Sequence, residues 1–179
     1  MINVRRIILI SLITILFNTN SYASLSLPLE SIDGSKHSLS EYIGHGQWIV
    51  LNIWGTDCPP CKEEVPELVN FHDEHHKHDS MVVSIAIDFP SFAYANKKEV
   101  IQFAEDHLID FPIFLNDASV TEKLGLGRLD GLPTTYIYDP EGTLVAKQVG
   151  GVTKKIIEDF IQKQKLLSTG SNSSGTTKQ

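Results

Sequence analysis

Residues 48–62 read WIVLNIWGTDCPPCK, an apolar run followed by a turn that carries two cysteines. The run predicts a buried strand over 47–54, and the residues after the turn predict a helix over 59–76. Cys58 and Cys61 are the only cysteines in the 179 residues, and they lie where the strand passes into the helix. This turn therefore holds the chain's entire capacity for thiol chemistry.

Three kinds of site fit a C-x-x-C pair. A redox dithiol exchanges with disulfides, because one thiolate attacks and its neighbour resolves the mixed disulfide. A zinc site needs four ligands, and the chain has no second C-x-x-C to supply them. A structural disulfide across two residues closes so short a loop that it adds little stability. The strand-to-helix context favours the redox pair.

The start of the helix predicts different roles for the two cysteines. Pro59 follows Cys58 and fits the first helical position, where its missing N–H is not needed. The positive end of the helix dipole favours a thiolate at Cys58. Cys61 lies about one turn further along the helix, and we expect it to be more buried. Cys58 is therefore the predicted attacking thiol and Cys61 the resolving thiol.

Asp57 stands directly before Cys58 and opposes the effect of the helix dipole. A carboxylate disfavours a second negative charge beside it. We therefore expect Asp57 to raise the pKa of Cys58, and to make the couple more reducing than in an Asp57→Trp variant.

Two segments resemble the TlpA/ResA/CcmG-type thioredoxin-like proteins, which are exported thiol–disulfide oxidoreductases. Residues 51–66 are similar to that family's active-site stretch, with Pro66 at its helix-kinking proline. Residues 131–142, GLPTTYIYDPEG, are similar to its cis-proline loop, the next strand and a hairpin turn. The resemblance covers residues 25–165. It implies a thioredoxin-like α/β fold, with a central mixed sheet flanked by helices on both faces.

The same resemblance implies a substrate-binding loop far downstream of the cysteines. Its Leu132–Pro133 bond would be cis and would face Cys58, although a proline without this family match would be expected to be trans. The backbone around Leu132, Pro133 and Thr134 would pair with a substrate strand. Trp54 either contacts substrate near this loop or is an ordinary core aromatic, and the sequence leaves both open.

The chain departs from the family pattern near the cysteines. Asp57 stands where the family usually has Trp, so the family's partner surface does not transfer directly. Asn52 occupies the position of the buried Asp of cytosolic thioredoxins, and an amide cannot accept a proton from Cys61. Another acid must then act on Cys61 or tune the dithiol. The candidates are Glu63, Glu64 and Asp88, of which Asp88 could simply cap its loop.

Residues 1–23 have the pattern of a secretory signal peptide. Arg5 and Arg6 precede a short apolar run over 7–17, and Ser21-Tyr22-Ala23 forms a small-x-Ala cleavage site. The run is shorter than the roughly 20 apolar residues of a transmembrane helix. We therefore expect export to the periplasm with cleavage, and the alternative is an uncleaved N-terminal membrane anchor.

The remaining residues predict one domain over 24–167 and a tail. Residues 168–179 are rich in Ser, Thr and Gly, which predicts disorder. Removing 1–23 takes away Arg5 and Arg6 and no acid, so the net charge goes from −7 to −9. So acidic an exported domain is a poor candidate for binding nucleic acid.

A strand–helix alternation follows the active-site helix. Strands are predicted over 81–88, 113–115, 134–138 and 144–149, and helices over 96–107, from Asp117 to Leu124 and around 156–161. Val100, Ile101, Ala104 and Leu108 are expected on one buried helix face. Residues 24–46 predict an irregular lead-in, with a short helix capped by Ser38.

A histidine-rich stretch raises the question of a metal. His72 and His76 are four residues apart and could share an ion on one helix face, with His75 and His78 nearby. The charged residues between them favour a solvated helix end instead. No metal and no other cofactor is predicted.

The leading functional hypothesis is a disulfide reductase of exported proteins, re-reduced by a membrane thiol reductase. The resemblance implies cytochrome c maturation, or reduction of other envelope proteins, as the setting. A disulfide-donating oxidase is the first alternative, because potentials on this fold span about −270 to −120 mV. A metal chaperone usually has a wider cysteine gap on this fold, and a peroxidase would need a motif that this chain lacks.

Overall fold

The computed structural model describes residues 24–172, with side chains placed through residue 168, so the predicted signal peptide lies outside the described residues. The strands are β1 (Leu29–Ser31), β2 (Lys36–His37), β3 (Trp48–Trp54), β4 (Ser80–Ala86), β5 (Ile113–Leu115), β6 (Thr134–Tyr138) and β7 (Leu144–Val149). The helices are α1 (Pro59–His75), α2 (Lys97–Asp106), α3 (Val120–Lys123) and α4 (Lys154–Asn172), with a 3-10 turn at Leu39–Glu41.

The apolar run before the cysteines forms β3, in the interior of one mixed sheet. The strand order is β2-β1-β5-β4-β3-β6-β7. β3, β4 and β5 run parallel to one another, while β6 pairs antiparallel with β3 and with β7. Every residue of β3 is buried, as expected of a strand covered on both faces.

The alternating side chains of β3 fill two separate layers of core. Trp48, Val50 and Trp54 pack on the face covered by α1, α2 and α4. Ile49, Leu51 and Ile53 pack on the other face, with the 3-10 turn and α3. Helices on both faces of a mixed sheet confirm the predicted thioredoxin-like α/β fold.

Some local predictions were wrong. The lead-in contains β1 and β2, whose pairing with β5 extends the sheet, because strands this short leave no clear alternation in the sequence. Leu108 is 80% exposed with φ +56°, since α2 ends at Asp106 and the chain turns to bury Phe111 instead. Ser119 takes the N-cap position before α3 without a side-chain cap bond, while the predicted Asp117 accepts from Ser119 N–H at 2.8 Å just ahead of the helix.

The last helix differs from its prediction at two points. Ile157 and Ile161 are buried as expected, but Ile156 is exposed. α4 continues past residue 167 to Asn172, so the first part of the predicted tail is helical. Among residues 24–172, none of the helices has the length and apolarity required of a membrane span.

Candidate active site

Cys58 and Cys61 form a disulfide at the first turn of α1, with an S–S distance of 2.10 Å. Cys58 is the N-cap residue, and its carbonyl accepts from the backbone N–H groups of Cys61 and Lys62, both at 3.1 Å. Pro59 and Pro60 occupy the first two helical positions, where no N–H is required. No acidic side chain lies in the first turn of the helix itself, so Asp57, directly before Cys58, is the adjacent acid that opposes the helix dipole.

The two cysteines do not differ in burial in this oxidised state. Both are 0% exposed, which corrects the expectation that Cys61 is the more buried. They belong to the core layer that contains Trp54 and Val65, with half-buried Leu132 packed against it. The roles predicted for the two thiols therefore depend on their positions along the helix, and no difference in exposure supports them.

The predicted substrate loop lies against the turn that leads to Cys58. The Leu132–Pro133 bond is cis, as expected. A β-carbon added to Gly55 would lie 3.0 Å from Ile87 O, 3.0 Å from Phe89 Cβ and 3.5 Å from Leu132 Cδ1, so a larger residue there would push these neighbours away. Gly150 N–H donates to Pro133 O at 2.8 Å and anchors the loop to the end of β7.

The side chains of Thr134 and Trp54 are buried and do not offer a surface to a substrate protein. Thr134 is 0% exposed, and its hydroxyl donates to Gly131 O at 2.7 Å, so it stabilises the loop from inside. Trp54 is 2% exposed and lies 4.9 Å from the Phe103 ring. Of the two roles that the sequence left open for Trp54, the structure favours the core aromatic.

Glu64 is the buried acid of the site. It lies one turn after Cys61 on α1 and is 3% exposed. Its Oε1 accepts from the Asn52 side-chain amide at 2.8 Å, and its Oε2 accepts from Val152 N–H at 3.0 Å. Burial raises the pKa of Glu64 to about 7, although both hydrogen bonds act in the opposite direction.

The other two candidate acids, Glu63 and Asp88, lie at the surface and in the loop after β4. Glu63 points to solvent. Asp88 accepts a hydrogen bond from the Ser91 hydroxyl, and its backbone bonds to Phe92 and Ala93, so it caps the loop after β4. Glu64 is therefore the acid that the structure buries on the same helix as Cys61.

Sequence reasoning missed both hydrogen-bond partners of Glu64, Asn52 and Val152. The Asn52 amide also donates to the Thr135 hydroxyl at 3.0 Å, so its two N–H bonds orient both groups. Val152 N–H comes from the connection between β7 and α4. The signal available in the sequence was Asn52, a polar residue in the middle of the apolar run at 48–54. A buried amide requires hydrogen-bond partners.

Asp57 lies at the surface beside Lys62. The Asp57 carboxylate is 72% exposed, and the Lys62 ammonium is 3.7 Å from its Oδ1. Solvent and this neighbouring cation both weaken its effect on Cys58.

We expect Asp57→Asn to lower the pKa of the reduced Cys58 thiol by less than about one unit, because surface charges interact weakly. Lys62→Met should raise that pKa by a similar amount. The thiolate's ultraviolet absorbance, followed through a pH titration of the reduced protein, measures both. A larger fall in Asp57→Asn would contradict the proposed screening.

The histidines do not form the metal pair considered from sequence. His72 is buried, its Nδ1 accepts from Val82 N–H at 3.1 Å, and its ring stacks on His76 at 4.6 Å. Burial lowers the pKa of His72, which favours the neutral ring that this hydrogen bond requires. Its contacts are those of a structural core histidine.

One other cluster has ligand atoms in reach of a shared ion. Glu74, His75 and Glu158 place one ligand atom each within 4.8 Å of one another. The Lys154 ammonium pairs with both carboxylates and offsets part of their charge, and His75 Nε2 lies 3.0 Å from Glu158 Oε1. An ion-pair network between α1 and α4 accounts for this cluster.

This fold and this disulfide define a thiol–disulfide oxidoreductase. A cysteine at the start of a helix is activated as a thiolate, the form that exchanges with disulfides. Residues 21–147 match the model of the AhpC/TSA family. The chain belongs to that family.

Proteins similar in sequence to this chain include thiol–disulfide oxidoreductases. The chain is 30% identical over 135 residues to the thiol-disulfide oxidoreductase ResA of Bacillus subtilis, covering 74% of this chain and 69% of that protein. It is 32% identical over 130 residues to the thioredoxin-like protein YneN of the same organism, covering 73% and 71%. A DsbF homologue from Corynebacterium diphtheriae matches the fold with a TM-score of 0.65 and 25% identity, over 76% of this chain and 83% of that one. The resemblance to ResA-type proteins is confirmed.

Proposed function

We propose that the protein is a disulfide reductase. The observation that supports this direction is the apolar burial of both cysteines, with Glu64 buried one turn after Cys61 on the same helix. Apolar surroundings and nearby carboxylates disfavour thiolates. A strong oxidant of this fold has a reduced form that the protein stabilises. A site that does not stabilise its thiolates therefore has a more reducing cysteine couple.

The reaction proceeds in two exchanges. The Cys58 thiolate attacks one sulfur of a substrate disulfide, and the other substrate sulfur leaves as a thiolate. Glu64 accepts the proton of the Cys61 thiol, and the Cys61 thiolate then attacks Cys58 and releases the second substrate sulfur. Two electrons pass from the dithiol to the substrate. One substrate thiolate takes the Cys61 proton through Glu64, and the other takes a proton from solvent. A pKa of about 7 lets Glu64 accept and return a proton near neutral pH.

The proposed setting is the cell envelope. Export follows from the sequence pattern of residues 1–23, and relatives named ResA support an oxidoreductase of this type. The substrates are disulfide-containing envelope proteins, with cytochrome c maturation as one route. A membrane thiol reductase would restore the dithiol, since the oxidised protein needs a source of two electrons.

The reduction potential of the Cys58–Cys61 couple tests the proposal. Equilibration against thioredoxin should give a value closer to about −270 mV than to about −120 mV. Alkylation of free thiols in intact cells should find the pair reduced. A couple near about −120 mV that is oxidised in cells would establish the disulfide-donating alternative instead.

A further inference from the structure

A groove next to the substrate loop has no role in the chemistry above. It has a volume of about 600 Å³, and its walls include Phe92, Ala118, Glu122, Arg128, Leu129 and Asp130. We call it the Phe92 groove. We propose that it binds an extended segment of the substrate protein that carries an apolar side chain and a carboxylate within a few residues of the reacting cysteine. This inference rests on the proposed reductase function.

The groove borders the redox turn on two sides. Phe92 contacts Phe89 at 5.9 Å between ring centroids, and Phe89 in turn packs against Gly55, three residues before Cys58. On the other side, Leu129 and Asp130 lead directly into the loop that contains Leu132. A substrate strand lying on Leu132 therefore has the groove within reach of its neighbouring residues.

Phe92 is held in place at the mouth of this groove. Its N–H donates to Asp88 O and its carbonyl accepts from Ala118 N–H, both at 3.0 Å. Its φ is +58°, a left-handed conformation that is costly for a bulky residue and is concentrated at functional sites. The side chain is nevertheless 37% exposed, so a large apolar surface is offered to solvent beside the site. Leu129, which is half-buried, extends that apolar surface.

Arg128 determines the charge that the groove prefers. It is the only arginine in residues 24–172 of an acidic chain. Asp130, its neighbour in the groove, is paired with the Lys147 ammonium at 2.8 Å and also interacts electrostatically with Arg128, while no close ion pair holds the Arg128 guanidinium among the described residues. Guanidinium groups recognise carboxylates with two parallel hydrogen bonds. Glu122 is the other acidic side chain of the groove and would repel a substrate carboxylate. That carboxylate should therefore bind at the Arg128 end.

Three matched peptide disulfides test the groove. The peptides share one sequence but carry Phe and Glu, Phe and Lys, or Gly and Gln near the cysteine. The rate at which each oxidises the reduced full-length protein is followed by mass spectrometry of quenched samples. We expect the Phe–Glu peptide to react about tenfold faster than the Phe–Lys peptide, the effect of one charge-assisted contact.

Arg128→Glu should invert that preference, and Phe92→Asn, which tolerates positive φ, should lower both Phe-peptide rates towards the Gly–Gln rate. Lys163→Glu is the matched control, because it makes the same charge change on the exposed face of α4 and should keep the preference. Equal rates for all peptides, or an unchanged preference in Arg128→Glu, would overturn the groove assignment while leaving the reductase intact. If neither the peptides nor hydroxyethyl disulfide oxidised the dithiol, the proposed function itself would fail.

Discussion

Glu64→Gln is expected to slow the reduction of a protein disulfide by about 100-fold, because the resolving thiol loses its proton acceptor. The variant keeps the size of the side chain, but its single amide oxygen can accept from only one of the two donors, Asn52 and Val152 N–H. Single-turnover exchange, measured across pH, should also lose its dependence on a group with a pKa of about 7.

Glu63→Gln serves as the control, since Glu63 is the exposed neighbour on the same helix. Its rate and pH profile should match those of the wild type. A Glu64→Gln variant with an unchanged pH profile would show that another group takes the proton from Cys61.

The same substitution should change how stability depends on pH. Glu64 has a pKa of about 7 when folded and an ordinary value of 4.5, so the folded state binds its proton more tightly. The stabilisation is fully present below pH 4.5 and is lost as pH rises through about 7, a total of about 3 kcal/mol. Denaturant unfolding of the oxidised protein should show this loss in the wild type but not in Glu64→Gln.

Cys61→Ser is expected to stop turnover almost completely, by more than about 1,000-fold, and to trap substrate on Cys58. Without the resolving thiol, the first exchange still occurs and the mixed disulfide persists. Non-reducing electrophoresis and mass spectrometry should show a covalent adduct of one substrate per protein.

Cys58→Ser distinguishes the two thiols. It should give neither turnover nor adduct, because Cys61 lies inside the first turn and does not begin the reaction. If Cys58→Ser accumulated the adduct and Cys61→Ser did not, the assigned order of attack would be reversed.

Much of the fold could be predicted from two short segments. The largely apolar run before the cysteines predicted a buried strand, and β3 has that position with every residue buried. The segment around Pro133 predicted β6 and the hairpin to β7, and its family resemblance implied the cis bond. β1 and β2 could not be found in this way, because two or three residues carry no measurable alternation and their pairing depends on β5.

The choice of Glu64 over Glu63 and Asp88 as the proton acceptor depended on which face of α1 is buried. Cys61, Glu64, Val65, Leu68 and Phe71 are the buried residues of the first turns of α1, at the three- and four-residue spacing of one helical stripe. The sequence alone left all three acids open, and the helical stripe seen in the structure places Glu64 inside and Glu63 outside. Its hydrogen bond to Val152 was beyond prediction, because it joins residues 88 positions apart in the chain.

The bond from Val152 N–H to Glu64 has a practical consequence. An amide proton that donates to a carboxylate shifts its NMR resonance when that carboxylate gains or loses its own proton. The Val152 amide is thus a built-in reporter, in a segment that takes no part in the chemistry. Its resonance should follow each proton that Glu64 exchanges with the resolving thiol, so the protonation of the buried acid can be observed without a label at either cysteine.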